Sequence, residues 1–228
     1  MIIDVHTHYI PETMAEGLRQ RQETPFIEQL ENGKERFHMP VGTIILDEAF
    51  YNMESRLSFM EDNGVGHQIL SFPGLFGVDS LQVNECISLL QAFNNETAKL
   101  CRNNPDQFSG LAALPLADMD LAAEEYRRAR LELGLIGAIL PVNGFISLTH
   151  AKRMTPLFDL AEEIGGHLFI HPGRRPDETP SPDPTKSSPP FSDNLAARQA
   201  LSVQNKCKAR QRHASNVHVP YTCKECIV

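Results

Sequence analysis

The chain has 228 residues, a hydrophobic fraction of 41% and a formal net charge of −8 at pH 7. Since proteins that bind nucleic acids usually present a basic face, this acidic balance argues against nucleic acid as a partner. No apolar run reaches the roughly 18 residues of a membrane span. The five cysteines show no disulfide-scaffold pattern, and the N-terminal residues do not resemble a secretory leader, which is basic and then apolar. Both features predict a cytoplasmic protein with reduced thiols.

The first predicted element is a strand over residues 2–6, with two histidines at or just after its C-terminal end. Strict alternation along a strand places Asp4, His6 and His8 on one face. Imidazoles one residue apart on a rigid strand are a typical start for a divalent transition-metal site. Asp4 is either an acceptor that fixes a histidine tautomer or a buried, hydrogen-bonded carboxylate.

Residues 9–52 show no long helical pattern and are predicted to form an inserted flap or small β-hairpin over the sheet. Arg36 in this segment could bind a substrate carboxylate through both ends of its guanidinium group. The alternative is a solvated charge in a loop beside Lys34 and Glu35.

Strand-like and helical segments then alternate along the chain. Further strands are predicted at 67–72, 109–114, 135–140 and 167–171, each followed by proline. Apolar residues recur at helical spacing at 53–63, 80–103, 118–133 and 152–164. Apolar strands that alternate with helices are typical of right-handed βαβ units, so the expected class is α/β with a parallel sheet.

His171 ends the last of these strands and is followed by Pro172 and Gly173. Because parallel α/β folds carry out chemistry at the C-terminal ends of their strands, His171 is a candidate third metal ligand. The alternative is a core histidine bonded to a carbonyl group. His67 and His167, at the starts of strands, are predicted to be structural.

Several segments in this order resemble the amidohydrolase-2 family, in its aminocarboxymuconate-semialdehyde decarboxylase-like branch. They are the N-terminal DxHxH (Asp4–His8), Glu54–Ser71, Phe93–Pro115, Leu133–Gly137, Pro156–Glu162 and Phe169–Gly173. The resemblance covers residues 1–173, which are interpreted as one partial barrel domain. It implies a (β/α)8 barrel of the TIM type, with a divalent metal, usually zinc, bound at the barrel mouth by His6, His8 and His171.

The resemblance also implies a histidine after the sixth strand and a proton-carrying aspartate after the eighth. Neither is recognised in this sequence, so the expected fold is a TIM-type barrel truncated after about five βα units, with the catalytic group unknown. The implied activity is that of a metal-dependent carboxy-lyase, a decarboxylase of small aromatic or unsaturated carboxylic acids. A metal-dependent hydrolase of an ester, lactone or amide is one alternative. The other is an inactive truncated paralogue or gene-model fragment, which could form a homo-oligomer through its open sheet edge.

Residues beyond 173 are expected to depart from the barrel. Residues 174–200 are predicted to form a proline-rich loop and a short helix, and 176–193 are too rich in Pro, Ser and Asp for a sheet element. Residues 201–228 differ abruptly in composition, show no apolar strand, and are interpreted as an aberrant, out-of-frame or mis-spliced tail. Four residues in this tail resemble a zinc knuckle in the wrong order, a match for which chance is the favoured explanation: His213, His218, Cys223 and Cys226.

Overall fold

The computed structural model describes residues 2–178 and the backbone of residues 217–218. The strands, in chain order, are β1 (Ile2–His8), β2 (Phe26–Gln29), β3 (Glu35–Met39), β4 (Gly42–Leu46), β5 (Val65–Ser71), β6 (Phe108–Ala112), β7 (Gly137–Pro141), β8 (His167–His171) and β9 (Val217–His218). The helices are α1 (Glu12–Arg19), α2 (Glu48–Tyr51), α3 (Met53–Asp62), α4 (Val83–Asn103), α5 (Met119–Leu131), α6 (Leu148–Arg153) and α7 (Thr155–Ile164). None of these helices is both long enough and apolar enough to cross a membrane.

Six of the strands form one parallel sheet in the order β1-β5-β6-β7-β8-β9. The first five curl into a half barrel with helices outside, which is the α/β, truncated TIM-type arrangement expected from the sequence. Leu111, Ile139 and Phe169 pack together on the inner face. Two larger apolar clusters, around Tyr126 and around Phe93, fill the space between the sheet and its helices.

The sixth strand of this sheet comes from the C-terminal tail. Val217–His218 pairs in parallel with Leu168–Phe169 of β8. The expectation that residues 201–228 contain no strand is therefore wrong for these two residues. The other expectations for 179–216 and 219–228, including the proline-rich loop, the aberrant tail and the cluster that resembles a zinc knuckle, lie outside the described residues.

Three of the four predicted helices lie close to their predicted positions, and the fourth is divided in two. Asp118 caps α5 as expected, because its side chain accepts the backbone N–H groups of Asp120 and Leu121. The single helix predicted at 152–164 is two helices, since α7 begins anew with Pro156 in its first turn. Proline lacks a backbone N–H and is tolerated at the start of a helix, so it opens a helix more readily than it continues one.

Residues 9–52 form a larger unit than a hairpin, with α1, the antiparallel sheet β2-β3-β4 and α2. Helix α1 was not predicted because it has only 8 residues and its N-cap residue, Pro11, provides no side-chain hydrogen bond. Phe37 of β3 belongs to the same buried cluster as residues of β5 and α4. Its ring lies 5.2 Å from that of Phe76, measured between centroids. The insert is thereby packed against the loop that follows β5.

Candidate metal centre

The geometry of the site begins with a bulge in β1. Asp4 pairs with Gln68 and Thr7 pairs with Leu70, so β1 uses one residue more than β5 over the same span. An extra residue in one strand interrupts alternation and re-aims the side chains that follow. Gln68 and Leu70 share a face of β5, and their partners in β1 share it too. Asp4 therefore lies on the face opposite the two histidines, contrary to the expectation from strict alternation.

Three imidazoles meet at the C-terminal end of the parallel sheet. His6 and His8 come from β1, and His171 is the last residue of β8. The Nε2 atoms of His6 and His171 are 2.8 Å apart, and the ring centroid of His8 lies 5.1 Å from each of the other two. Each histidine places one ring nitrogen within 4.8 Å of the others. The structure thus brings together the three histidines that the sequence singled out.

Hydrogen bonds behind two of the rings fix which nitrogen faces the centre. The Pro172 carbonyl lies 2.8 Å from Nδ1 of His171 and accepts its hydrogen. Ser71 Oγ donates to the Thr7 carbonyl and therefore accepts from Nδ1 of His8, at 3.2 Å. With Nδ1 protonated in both rings, Nε2 keeps its lone pair, as in metal-binding histidines.

Burial keeps the three rings neutral. Desolvation lowers the pKa of His171 to about 4 and lowers the pKa of His8 well below its ordinary range, where the nearby His171 and His6 lower it further. For His6, burial outweighs the attraction of Asp4, and the pKa is again lowered. Neutral imidazole is the form that binds metals. Without a metal, neutral His6 donates from Nε2 to the lone pair of His171 Nε2 at 2.8 Å. With its proton on Nδ1 instead, His6 would offer a third nitrogen lone pair at the same point, so the donor set fits a metal ion.

A cavity of about 340 Å³ adjoins His6 and His8. The other residues that line it are Asp4, Thr7, Ala49, Phe50, Ser55, Arg56, Phe59 and Gln68. Sequence reasoning missed Arg56, which is only 7% exposed. Its burial could have been inferred from its position four residues before Met60. Residues at this spacing share a helix face, and both are buried in α3.

Two further candidates from the sequence lie apart from the imidazole rings. The carboxylate of Asp4 accepts the backbone N–H of His6 at 3.1 Å and the side-chain amide of Gln68 at 3.2 Å. Asp4 therefore contacts His6 through the main chain. Arg36 donates to Glu28 of the neighbouring strand β2 at 3.2 Å, and it is not among the described residues that line the cavity.

The acids that follow His171 in the described part of the chain are Asp177 and Glu178. Asp177 pairs with Arg153 at 2.6 Å and with Arg175 at 2.9 Å. Glu178 accepts the backbone N–H of Arg175 at 3.3 Å. Both carboxylates are therefore engaged in the loop after β8, and a catalytic acid stays unassigned among residues 2–178.

Known proteins share this fold and parts of this sequence. The profile of the amidohydrolase family matches residues 3–214, beyond residue 173 where the resemblance was expected to end. Gamma-resorcylate decarboxylase of Rhodococcus jostii is 40% identical over 130 residues, which cover 51% of this chain and 38% of that protein. 2-Amino-3-carboxymuconate-6-semialdehyde decarboxylase of Dictyostelium discoideum is 30% identical over 128 residues, which cover 56% of this chain and 35% of that protein.

A solved structure extends the likeness over most of the chain. The 5-carboxyvanillate decarboxylase of Novosphingobium aromaticivorans, complexed with manganese, superposes with a TM-score of 0.65 at 18% identity. The superposition covers 96% of this chain and 64% of that one, and at this identity it shows the shared fold alone. In the sequence comparisons, by contrast, the chain spans little more than a third of the length of each of the two decarboxylases, 38% and 35%.

Proposed function

The chain belongs to the amidohydrolase family, and from this membership we propose that it acts as a metal-dependent carboxy-lyase on small aromatic or unsaturated carboxylic acids. The sequence relatives are decarboxylases whose names specify gamma-resorcylate and an aminocarboxymuconate semialdehyde. These are small carboxylic acids, one of them aromatic. They define the substrate class that we propose.

The observation that carries the proposal is the convergence of three neutral imidazoles at the C-terminal end of the parallel sheet. His6, His8 and His171 would hold the metal. Three histidine nitrogens with a fourth position left open are a donor set of catalytic zinc, so zinc is the ion that we propose. The manganese of the solved neighbour makes manganese the competing ion. The bound cation would supply positive charge that polarises oxygen atoms of the substrate.

The chain's own residues would orient the ligands and shield the substrate. The hydrogen bonds from Nδ1 of His8 and His171 hold these rings in one orientation. The ring of Phe76 lies 5.7 Å from that of His8, and the ring of Phe169 lies 5.9 Å from that of His6. These aromatic walls would exclude water and contact a flat substrate ring. Decarboxylation also needs a proton at the carbon that loses its carboxyl group, which requires an acid that has yet to be assigned.

We also propose a cytoplasmic location. Cys86 and Cys101 are free thiols, and burial raises the pKa of each to about 12. They are therefore protonated and unreactive at neutral pH. Reduced structural thiols of this kind support a reducing compartment.

The test uses the full chain, stripped of metal with a chelator and reloaded with Zn²⁺ or Mn²⁺. Carbon dioxide release from 2,6-dihydroxybenzoate (gamma-resorcylate) is then measured. We expect release only with metal, lost in His171→Ala and kept in His67→Ala, since the His67 ring bonds instead to Asp106 and Ser109. Hydrolysis of simple esters without carbon dioxide release would favour the hydrolase alternative. Metal binding without either reaction would overturn the activity, and no metal binding would overturn the site as well.

A further inference from the structure

Arg56 is a buried guanidinium beside the strand that carries two of the three histidines. It is 7% exposed, and its Nη2 donates to the carbonyl of His8 at 2.7 Å. Its Nη1 donates to Thr7 Oγ1 at 2.9 Å and to Gln68 Oε1 at 3.1 Å. A second bond from Nη2 reaches the carbonyl of Ala49. One side chain of α3 thus joins β1, β5 and α2.

All four of these bonds go to neutral oxygen atoms. Among residues 2–178, no ion pair of Arg56 with a carboxylate is found. A buried charge is tolerated only when it is well hydrogen-bonded. Because the guanidinium is planar and its donors form a rigid fork, it fixes where its acceptors lie. The carbonyl of His8 is therefore held at a position that Arg56 determines.

The same network reaches His6 from the other side of the bulge. Gln68 accepts from Arg56 with Oε1 and donates from Nε2 to Asp4 Oδ2 at 3.2 Å. Asp4 Oδ1 in turn accepts the backbone N–H of His6 at 3.1 Å. A continuous chain of hydrogen bonds thus runs from the guanidinium to the main chain of His6.

These contacts coincide with the irregular part of β1. The register slips between Asp4 and Thr7, and the network bonds to both of these residues. A bulge leaves its extra residue outside the regular ladder, so the local backbone needs other contacts to keep one conformation. The side chains of Arg56 and Gln68 supply such contacts at the segment that aims His6 and His8.

We propose that Arg56, Gln68 and Asp4 are positioning residues that hold the bulged strand so that His6 and His8 point at the metal. The inference rests on the proposed function for the identity of the ligand. None of the three residues contacts the metal or the substrate in this role. They act through the backbone of the two histidines.

The test compares Arg56→Lys and Gln68→Leu with a matched buried variant. Arg56→Lys keeps the charge but loses the fork, and Gln68→Leu breaks the link between Arg56 and Asp4. Asn94→Leu is the control, because Asn94 is also fully buried and hydrogen-bonded but lies in α4. The readouts are Zn²⁺ affinity by chelator competition, the visible spectrum of the Co²⁺-loaded protein, and the free energy of unfolding.

We expect Arg56→Lys and Gln68→Leu to weaken Zn²⁺ binding about 10- to 100-fold and to change the Co²⁺ spectrum. Asn94→Leu should lower the free energy of unfolding yet leave affinity and spectrum at wild-type values. Wild-type affinity and spectrum in both network variants would overturn the proposal. So would equal losses in all three variants, since these would reflect stability alone.

A readout without metal separates this proposal from the proposed function. In the metal-free protein, the backbone amide of His6 should exchange its hydrogen faster in Gln68→Leu than in wild type, with no such change in Asn94→Leu. If the wild-type chain binds no metal, the proposed function fails, while faster exchange in Gln68→Leu still supports the positioning network. Unchanged exchange at His6 would overturn the network whatever the metal result.

Discussion

The Nε2 atoms of His6 and His171 lie 2.8 Å apart although 165 positions separate them in the chain. Their strands, β1 and β8, are separated in the sheet by β5, β6 and β7. Four strand spacings of a flat sheet would place them about 19 Å apart. The contact therefore depends on the curl of the sheet, which turns the two outer strands toward one another. The imidazole cluster is a product of the half barrel as a whole.

Removal of any one of these imidazoles should weaken metal binding strongly. We expect His6→Ala, His8→Ala and His171→Ala each to raise the dissociation constant for Zn²⁺ by more than about 100-fold. Loss of a metal ligand should weaken binding more than loss of a residue that only hydrogen-bonds to a ligand, which typically costs about 10- to 100-fold. Isothermal titration of the metal-free protein measures this change. His67→Ala serves as the control and should bind as wild type does. Unchanged binding in His171→Ala would argue against the site.

Asp79 should make the protein less stable as the pH rises. Burial raises its pKa from 3.8 to about 7, although hydrogen bonds from the backbone N–H groups of Asp79 and Ser80 act to lower it. Its Oδ1 has no hydrogen-bond partner among the described residues. Between these pH values the folded state holds a proton that the unfolded state has lost, so stability falls as pH rises.

Asp79→Asn should therefore be more stable than wild type at pH 8, by on the order of 2–4 kcal/mol, and nearly equal to it at about pH 4. Urea unfolding at both pH values measures the difference. The exposed Asp106→Asn is the control and should show neither effect. An equal gain at both pH values would rule out titration of Asp79 as its cause.

Asn94 should be essential for stability. Its side chain donates to the Ala113 carbonyl and accepts the Ala113 backbone N–H, each at 2.9 Å, and it donates to Glu125 at 2.7 Å. Asn94→Ala leaves both buried backbone groups of Ala113 unpaired, so we expect a loss of about 3 kcal/mol in the free energy of unfolding. The neighbouring Asn95→Ala, at an exposed position, should change it by less than about 0.5 kcal/mol. Similar losses in both variants would contradict this account.

Glu35 should stabilise the insert more at neutral than at acidic pH. Burial raises its pKa, but hydrogen bonds from Arg19 and Tyr51 outweigh that effect and hold the pKa below its ordinary value of 4.5. The lowered pKa stabilises the fold above the unfolded-state pKa, and this contribution disappears as pH falls through the folded-state pKa.

Glu35→Gln should accordingly lose about 1–2 kcal/mol at pH 7, with a smaller difference from wild type near pH 3. Thermal unfolding across this pH range provides the measurement. Glu12→Gln removes a more exposed partner of the same arginine and should cost less. A pH-independent difference would show that Glu35 acts by shape and not by charge.

The sequence predicted the features that depend on local patterns. The strand at 167–171 coincides with β8, and the helix at 53–63 differs from α3 by one residue, because apolar runs and periodicity reflect short-range preferences. Local patterns could not predict the face on which Asp4 lies, because that face depends on the register of β1 against a strand some sixty positions away. Arg56 was missed for a related reason: its four acceptors, two main-chain carbonyls and two side-chain oxygens, come from three other elements and are brought together only in the folded chain.

The bulge in β1 also determines which changes in chain length the site can tolerate. Deletion of Val5 would remove the extra residue and leave Asp4 opposite Gln68 and His8 opposite Ser71, as they are now. Deletion of Thr7 would also remove the extra residue of the bulge, but it would move His6 to the position opposite Leu70, on the helix-facing side of the sheet. Two deletions of one codon each, two positions apart, should therefore have opposite outcomes. One would leave the cluster intact, and the other would turn a histidine away from it.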